Sequence, residues 1–307
     1  MSDCIIETKG LTKRYGEQVS VSNLDLHVQK GRIYGLLGRN GAGKTTTMKM
    51  LLGLTVPTSG TVTIFGRPLK GNEKRVLPRI GSLIESPGFY PNLTGTENLQ
   101  IFARLRGLKS PNYIKGALEL VNLPYRDKKR YAQYSLGMKQ RLAIALAVMH
   151  DPELLILDEP INGLDPEGIV EFRNILLELN RQRETTILIS SHILSELSNI
   201  ATHYGFLDGG RMLEQVSAAR LREKCRACLQ LTVDDAARAA LVLEQELGIR
   251  DYEVLPGNLL RLYDRLDRPQ TVTAALMGAG VALIGAENKN ANLEDYFLGL
   301  IGGVRHG

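Results

Sequence analysis

The spacing of apolar residues near the start of the chain predicts strands, a loop and a helix in sequence. Residues 5–8 are β-like, and apolar and polar side chains alternate between positions 19 and 28, as they do in strands. Residues 32–37 form another apolar run that leads directly into a glycine-rich segment. Residues 45–54 contain no glycine or proline before Gly53, which predicts a helix that ends before Pro57.

From about residue 85 to 150 the pattern changes to that of helices with one apolar face. The helical spacing is found at residues 97–105, 114–121 and 136–149. This segment predicts a helical subdomain inserted into the fold.

Strand-like runs return after this insert. Residues 154–157 and 186–189 are short aliphatic runs typical of buried parallel strands, and a helix is predicted between them at 168–181. Asp208-Gly209-Gly210 then predicts a hairpin. We therefore expect an α/β domain with a mixed sheet over residues 1–215.

The remaining residues, 216–307, predict a small α+β accessory domain. Its apolar runs follow the order β-α-β-β-α-β, which is the order of ferredoxin-like domains. One uncharged stretch, residues 269–286, is long enough for a membrane span, but it contains a proline and three glycines. We interpret it as a helix, a turn and a strand.

Composition excludes fewer classes of function than the pattern of apolar residues excludes classes of fold. The net charge of +5 in 307 residues suits nucleic acid, an anionic membrane or a polyphosphate ligand equally. Cys225 and Cys228 form a single C-x-x-C pair, and without a second Cys or His pair this is weak evidence for a metal. The first residues lack an apolar run of signal-peptide length, so the chain is expected to stay in the cytoplasm.

The glycine-rich segment matches the phosphate-binding pattern G-x-x-x-x-G-K-[ST], between a predicted strand and a predicted helix. Its glycines allow backbone N–H groups to converge on phosphate oxygens, Lys44 reaches the β and γ phosphates, and the Thr45 hydroxyl binds Mg²⁺. The predicted nucleotide-binding residues here are Gly38, Arg39, Asn40, Gly41, Ala42, Gly43, Lys44, Thr45 and Thr46.

Two adjacent acidic residues, Asp158 and Glu159, follow the strand predicted at 154–157. One carboxylate suits the coordination shell of Mg²⁺ and the next suits polarising an attacking water. Asp158 is therefore predicted to bind the metal together with Thr45, and Glu159 is predicted to be the catalytic base.

The segment from Tyr134 to Arg141 opens a long apolar helix and resembles the signature of the ATP-binding-cassette (ABC) ATPases. The other motifs of that family are also present, in the order in which the family has them, and the resemblance covers about residues 3 to 215. They are the glycine-rich segment, Asp158-Glu159, Asn162-Gly163-Leu164-Asp165 and Ser190-Ser191-His192.

The resemblance implies further site residues. Ser135 and Gly137 correspond to the residues that contact the γ-phosphate bound by the opposite subunit, Tyr15 to the aromatic that stacks on adenine, and His192 to the histidine that holds the γ-phosphate. Glu85 stands where the family usually has glutamine, which implies an additional carboxylate near Mg²⁺. This variant is similar to the subfamily of bacitracin-resistance and lantibiotic-immunity exporters.

The resemblance also implies the function. We expect an ATP-hydrolysing subunit of a membrane ABC exporter for antimicrobial peptides or drugs, lying on the cytoplasmic face of the membrane. Two such subunits would close over two ATP·Mg²⁺, a separate integral-membrane permease would bind around residues 85–107, and no nucleic acid is expected as a partner. A soluble ABC ATPase with a scaffold role in iron-sulfur assembly and the ATPase of an importer remain alternatives.

Overall fold

The computed structural model describes residues 4–85, 87–264, 266–289 and 293–304. These residues form two compact units that divide between Ala218 and Ala219. Each unit has its own apolar core, so each is described separately. The predicted combination of an α/β part with a smaller α+β part matches the elements of these two units.

The first unit contains two sheets. Its strands are β1 (Cys4–Tyr15), β2 (Gln18–Leu24), β3 (His27–Gln29), β4 (Ile33–Gly38), β5 (Ser59–Ile64), β6 (Arg67–Pro68), β7 (Ile80–Leu83), β8 (Leu154–Leu157), β9 (Thr186–Ser191), β10 (His203–Asp208) and β11 (Arg211–Ser217). Its helices are α1 (Lys44–Leu51), α2 (Glu73–Val76), α3 (Gly95–Leu105), α4 (Asn112–Leu120), α5 (Leu136–Val148), α6 (Pro166–Arg183) and α7 (Leu194–Leu197).

The larger sheet has the strand order β11-β10-β4-β9-β8-β7. All neighbouring pairs are parallel except β10 and β11, which form the hairpin predicted at Asp208-Gly209-Gly210. Strands β4, β8 and β9 are buried along their whole length, which explains the aliphatic runs that each of them contains. Because these three strands are parallel, the segments that follow them lie at one edge of the sheet.

The smaller sheet is antiparallel, with the order β2-β1-β5-β6 and with β3 also paired to β1. Strand β1 continues to Tyr15, well beyond the predicted residues 5–8. It is long because β2, β3 and β5 all pair with it, and its register shifts near Gly10, which has φ of +57°. Tyr15 therefore lies at the end of β1, where it pairs with Gln18 of β2, and not in a loop.

Three helices between β7 and β8 account for the predicted helical insert. Helix α3 begins at a capping box in which Thr94 and Glu97 exchange hydrogen bonds, and α5 begins at Ser135, whose side chain caps it. Most of the middle of α5 is buried, including Leu142 and Ile144. The insert therefore presents the start of α5 at its surface while its middle packs inside.

The second unit is a four-stranded antiparallel sheet with helices. Its strands are β12 (Cys228–Val233), β13 (Tyr252–Leu255), β14 (Leu259–Leu262) and β15 (Leu283–Lys289), and its helices are α8 (Ala218–Lys224), α9 (Ala236–Gln245), α10 (Pro269–Gly278) and α11 (Leu293–Val304). The strand order is β13-β14-β12-β15, and residues of α9 and α10 such as Leu243 and Leu276 share its core with Leu231 and Leu260.

The uncharged stretch at 269–286 contains helix α10 and the start of strand β15. The strand begins at Leu283 and continues to Lys289, because β12 pairs with it from Val233 back to Cys228. Among the described residues, no helix combines the length and apolar character that crossing a membrane requires.

Candidate active site

The glycine-rich loop joins the end of β4 to the start of α1, as the sequence predicts. Two of its glycines are required by close backbone contacts. A Cβ on Gly38 would lie 2.5 Å from the carbonyl oxygen of Leu207, and a Cβ on Gly43, which has φ of +102°, would lie 2.6 Å from that of Ser20. Neighbouring backbone therefore packs against the loop from outside, which leaves its concave side for a ligand.

Lys44 lies inside this loop and is only 5% exposed. Its Nζ donates hydrogen bonds to the carbonyl oxygens of Gly38 at 2.7 Å and Arg39 at 3.2 Å. The same ammonium lies 3.0 Å from Oε1 of Glu159. A buried cation with an anionic partner at this point marks the position where a phosphate group would be bound.

Thr45 and Asp158 come together as predicted. The Thr45 hydroxyl donates to Oδ2 of Asp158 at 2.6 Å, and the hydroxyl of buried Ser190 donates to Oδ1 at 2.6 Å. The Ser190 oxygen also accepts the backbone N–H of Glu159 at 2.8 Å. The end of β9 therefore orients both acidic residues that follow β8.

These oxygen atoms fit a magnesium site. A hydroxyl and a carboxylate are hard oxygen ligands, and Mg²⁺ commonly takes one or two such protein groups and obtains the others from water and substrate phosphates. Within the described ranges, no cluster of three or more His, Cys, Asp or Glu could hold a metal by itself. The Thr45 hydroxyl and the Asp158 carboxylate therefore suit a Mg²⁺ ion whose other ligands come from a nucleotide and from water.

Glu159 is held by three side chains. Besides Lys44, Nδ1 of His192 lies 2.5 Å from its Oε2, and the Asn162 amide donates to the same oxygen at 2.9 Å. Burial acts to raise the pKa of Glu159, but the hydrogen bonds from Lys44 and His192 outweigh it, and the pKa lies below its ordinary value. The side chain is thus an ionised acceptor at neutral pH.

The backbone at Glu159 has φ of +47°, an uncommon value for a residue with a side chain. Such a conformation costs about 1–3 kcal/mol and persists where surrounding contacts impose it. Here the contacts are the hydrogen bond to Ser190 and the three side-chain partners. The turn directs the carboxylate of Glu159 towards Lys44.

Glu85 lies in the loop after β7, and its carboxylate accepts a hydrogen bond from Lys49 Nζ at 2.8 Å. This contact, together with the Lys49 charge, lowers the pKa of Glu85, and the same contact raises the pKa of Lys49. The charge of Asp158 also raises the pKa of Lys49, so the Asp158 carboxylate lies within electrostatic reach of this lysine. The role of Glu85 as a metal ligand stays a prediction.

Of the other residues predicted to bind the nucleotide, Gly38, Ala42 and Gly43 are buried and the rest are exposed or half-buried. Arg39, Asn40 and Gly41 are exposed, and the Thr46 hydroxyl lies 2.9 Å from that of Ser20. Tyr15 at the end of β1 is 50% exposed, and Lys13 Nζ lies 5.0 Å from the centre of its ring. The exposed ring can receive a planar base.

Ser135 and Gly137 lie at the exposed start of α5. The Ser135 hydroxyl accepts the backbone N–H of Met138 at 3.3 Å, and nothing lies within 4 Å of a Cβ built on Gly137. Both residues line a cavity of about 510 Å³ together with residues 163–165. No described residue of the segment 38–46 is part of that lining. The structure therefore brings the loop, Asp158, Glu159 and His192 together, and it places Ser135 and Gly137 beside a cavity that this loop does not line.

Three contributors were missed as site residues by sequence reasoning. Ser190 and Asn162 were recognised only as parts of motifs, although each bonds directly to an acidic site residue. Lys49 had a usable signal, since it follows Thr45 by four residues on the same helix and so projects from the same face.

Comparison with known proteins identifies the family to which this chain is similar. Residues 21–162 match the family model described as ABC transporter. The bacitracin transport ATP-binding protein BcrA of Enterococcus faecalis is 49% identical over 97% of this chain and 97% of its own length. The lantibiotic transport ATP-binding protein SrtF of Streptococcus pyogenes is 43% identical over 68% of this chain and 89% of its own.

A solved structure described as the ATP-binding subunit of an ABC transporter has the same fold. It is 30% identical to this chain, with a TM-score of 0.63, and the alignment covers 72% of this chain and 92% of that one.

Proposed function

This chain belongs to the ATP-binding proteins of ABC transporters, and we propose that it hydrolyses ATP between the loop after β4 and the acidic pair after β8 in order to export an antimicrobial peptide. The cargo is proposed from the names of the relatives, which describe transport of bacitracin and of a lantibiotic. Similarity over nearly the full length to the bacitracin protein supports this choice.

Phosphate binding changes the partners of Lys44. In the structure its ammonium contacts Oε1 of Glu159, and the phosphates of ATP compete for the same cation. ATP binding therefore releases one carboxylate oxygen of Glu159 while His192 and Asn162 still hold the other. The released oxygen can accept a proton from, or orient, the water that attacks the γ-phosphate.

The Thr45 hydroxyl and the Asp158 carboxylate are the groups that would hold Mg²⁺, which when bound neutralises charge on the β and γ phosphates. Ser190 keeps the Asp158 carboxylate oriented for this role. His192 lies beside Glu159 and is proposed to contact the γ-phosphate.

Two copies are proposed to form the working unit. Ser135 and Gly137 lie in a cavity that no described residue of the phosphate loop lines, so a nucleotide on Lys44 meets these residues from a second copy of the chain or a paired subunit. The start of helix α5 would then direct its N-terminal dipole and N–H groups at the phosphates across the interface.

A separate membrane-spanning permease is proposed to bind the helical insert, which places this subunit on the cytoplasmic face of the membrane. Exposed apolar side chains support this, because a partner can cover them. Leu105 at the end of α3 in the insert is 78% exposed, and Leu54, shortly after α1, is 66% exposed. A cavity of about 530 Å³ lined by Leu52, Leu54 and Leu108 adjoins them.

The observation that carries the proposal is the Glu159 carboxylate held between Lys44 and His192. Glu159→Gln keeps the shape of this side chain but removes its basicity. We expect phosphate release to slow by ~10²–10⁴-fold, the usual contribution of a positioned base, while ATP binding persists. Turnover near that of the unmodified protein would refute the assignment of Glu159, and Glu119→Gln, at an exposed position on α4, serves as a control.

A further inference from the structure

A lysine and two carboxylates surround the face of α1 that bears Thr45. Lys49 follows Thr45 by one helical turn, so both side chains project from this face. Thr45 bonds to Asp158, and Lys49 bonds to Glu85. Two acidic side chains from different loops, one after β7 and one after β8, are thus gathered where the phosphates of a nucleotide would lie.

This arrangement raises a charge problem. ATP is itself a polyanion, and like charges a few ångströms apart repel by about 1 kcal/mol in water and by several at lower effective dielectric. Asp158 has Thr45 and Ser190 as donors, and it is suited to a metal ion. The hydrogen bond that the structure gives the Glu85 carboxylate comes from Lys49.

We propose that Lys49 is a positioning residue that holds the Glu85 carboxylate and offsets its charge beside the nucleotide phosphates. The pair then adds no net charge to the site, so ATP binds beside the second acidic residue without being repelled by it. This inference rests on the proposed binding of ATP at Lys44 and Thr45.

Because the Lys49–Glu85 pair is exposed, replacing either residue can change ATP binding without changing the stability of the fold. The side chains of Lys49 and Glu85 are 32% and 76% exposed, and exposed ion pairs contribute little to stability. Loss of the pair should therefore leave the unfolding temperature unchanged while altering ATP affinity and its dependence on salt.

The test is a double-mutant cycle measured by calorimetric titration with ATP in EDTA, so that no divalent cation contributes and no turnover is needed. Lys49→Met removes the cation and keeps an unbranched side chain, and we expect it to weaken ATP binding on the order of 10-fold. Glu85→Gln should bind at least as tightly as the unmodified protein. The double variant should return to within about 2-fold of it, since the net charge is restored.

Salt and a conservative variant sharpen the test. The loss of ATP affinity in Lys49→Met should shrink as ionic strength rises, because salt screens the uncompensated charge of Glu85. Lys49→Arg keeps the positive charge and should bind ATP as tightly as the unmodified protein. The matched control is Lys115→Met, which removes a lysine from the exposed Lys115–Glu119 pair on α4 and should leave affinity unchanged.

Several results would overturn the inference. They are unchanged affinity in Lys49→Met, a double variant as weak as Lys49→Met, and a loss that persists at high salt. The second result would mean that Lys49 acts on the nucleotide directly. Failure of the unmodified protein to bind ATP would instead refute the proposed function.

Discussion

At the scale of single residues, the site depends on a buried hydroxyl between two acidic residues. Ser190 is fully buried, donates to Asp158 and accepts the backbone N–H of Glu159. Each of these groups needs a partner, because a buried donor or acceptor without one is costly. One serine therefore orients both the Asp158 carboxylate, which is proposed to bind the metal, and the turn that carries Glu159, the proposed base.

Ser190→Ala is expected to lose both contacts. The free energy of unfolding should fall by about 1–3 kcal/mol, because the N–H of Glu159 is left without its acceptor. Phosphate release should slow more than ATP binding weakens, since Lys44 is untouched. Urea unfolding and steady-state hydrolysis measure the two effects.

Ser198→Ala is the matched control, since the Ser198 hydroxyl donates only locally, to the carbonyl oxygen of Ser195. Unchanged stability and hydrolysis in Ser190→Ala would contradict the role given to the Ser190 hydroxyl.

At the scale of secondary-structure elements, His150 connects the helical insert to the larger sheet. Its ring lies just after α5, with Nε2 3.1 Å from the carbonyl oxygen of Ile80 on β7 and Nδ1 2.7 Å from the Arg106 guanidinium. Burial, and secondly the charge of Arg106, lower the pKa of His150 to about 4. The imidazole is therefore neutral in the folded protein.

This pKa predicts how stability depends on pH. Below ~6.5 an unfolded histidine binds a proton, whereas folded His150 does not until about pH 4, so the unfolded state binds more protons in this window. Stability should fall as pH decreases from about 6.5 to 4, with no further contribution from this residue above or below.

His150→Asn should reduce the difference between urea midpoints at pH 7.5 and pH 5, whatever its effect at pH 7.5 itself. The same replacement at the exposed His27 is the matched control. An equal pH dependence in His150→Asn and the unmodified protein would show that His150 does not carry it.

At the scale of the whole molecule, two features proposed to bind phosphate lie apart within one chain, which supports the proposed assembly of two copies. Ser135, at the exposed start of α5, lines a cavity to which no described residue of the loop with Lys44 contributes. Two copies related head to tail would bring each loop opposite a Ser135. The assembly would exist while the γ-phosphate is present and separate after it is lost.

Glu159→Gln with ATP is therefore expected to have the mass of a dimer by light scattering, and the mass of a monomer without ATP. Adding Ser135→Arg should prevent this dimer, because a bulky side chain fills the place of a hydroxyl that has to approach phosphate. Ser59→Arg at an exposed position on β5 should not. ATP-dependent dimers in the Ser135→Arg double variant would refute the shared site.

The predicted family and the role of ATP-hydrolysing transporter subunit are confirmed by the relatives. The domain boundaries at about 215 and 85–150, and the individual site roles, stay predictions.

Local signals in the sequence located the phosphate-binding loop and the helix starts. A glycine pattern after a strand determines the loop, and Ser135 as a cap determines the start of α5.

What the sequence by itself determined was therefore local: which residues can bind phosphate or metal, and where short helices and strands begin. Pairing between distant segments was decided by the tertiary structure. Strands β5 and β7 were not predicted because pairing with β1 and β8 defines them, and Lys49 meets Glu85 across 36 residues of chain. The physical reason is that a contact between distant residues depends on packing of the whole core, which no short stretch of sequence contains.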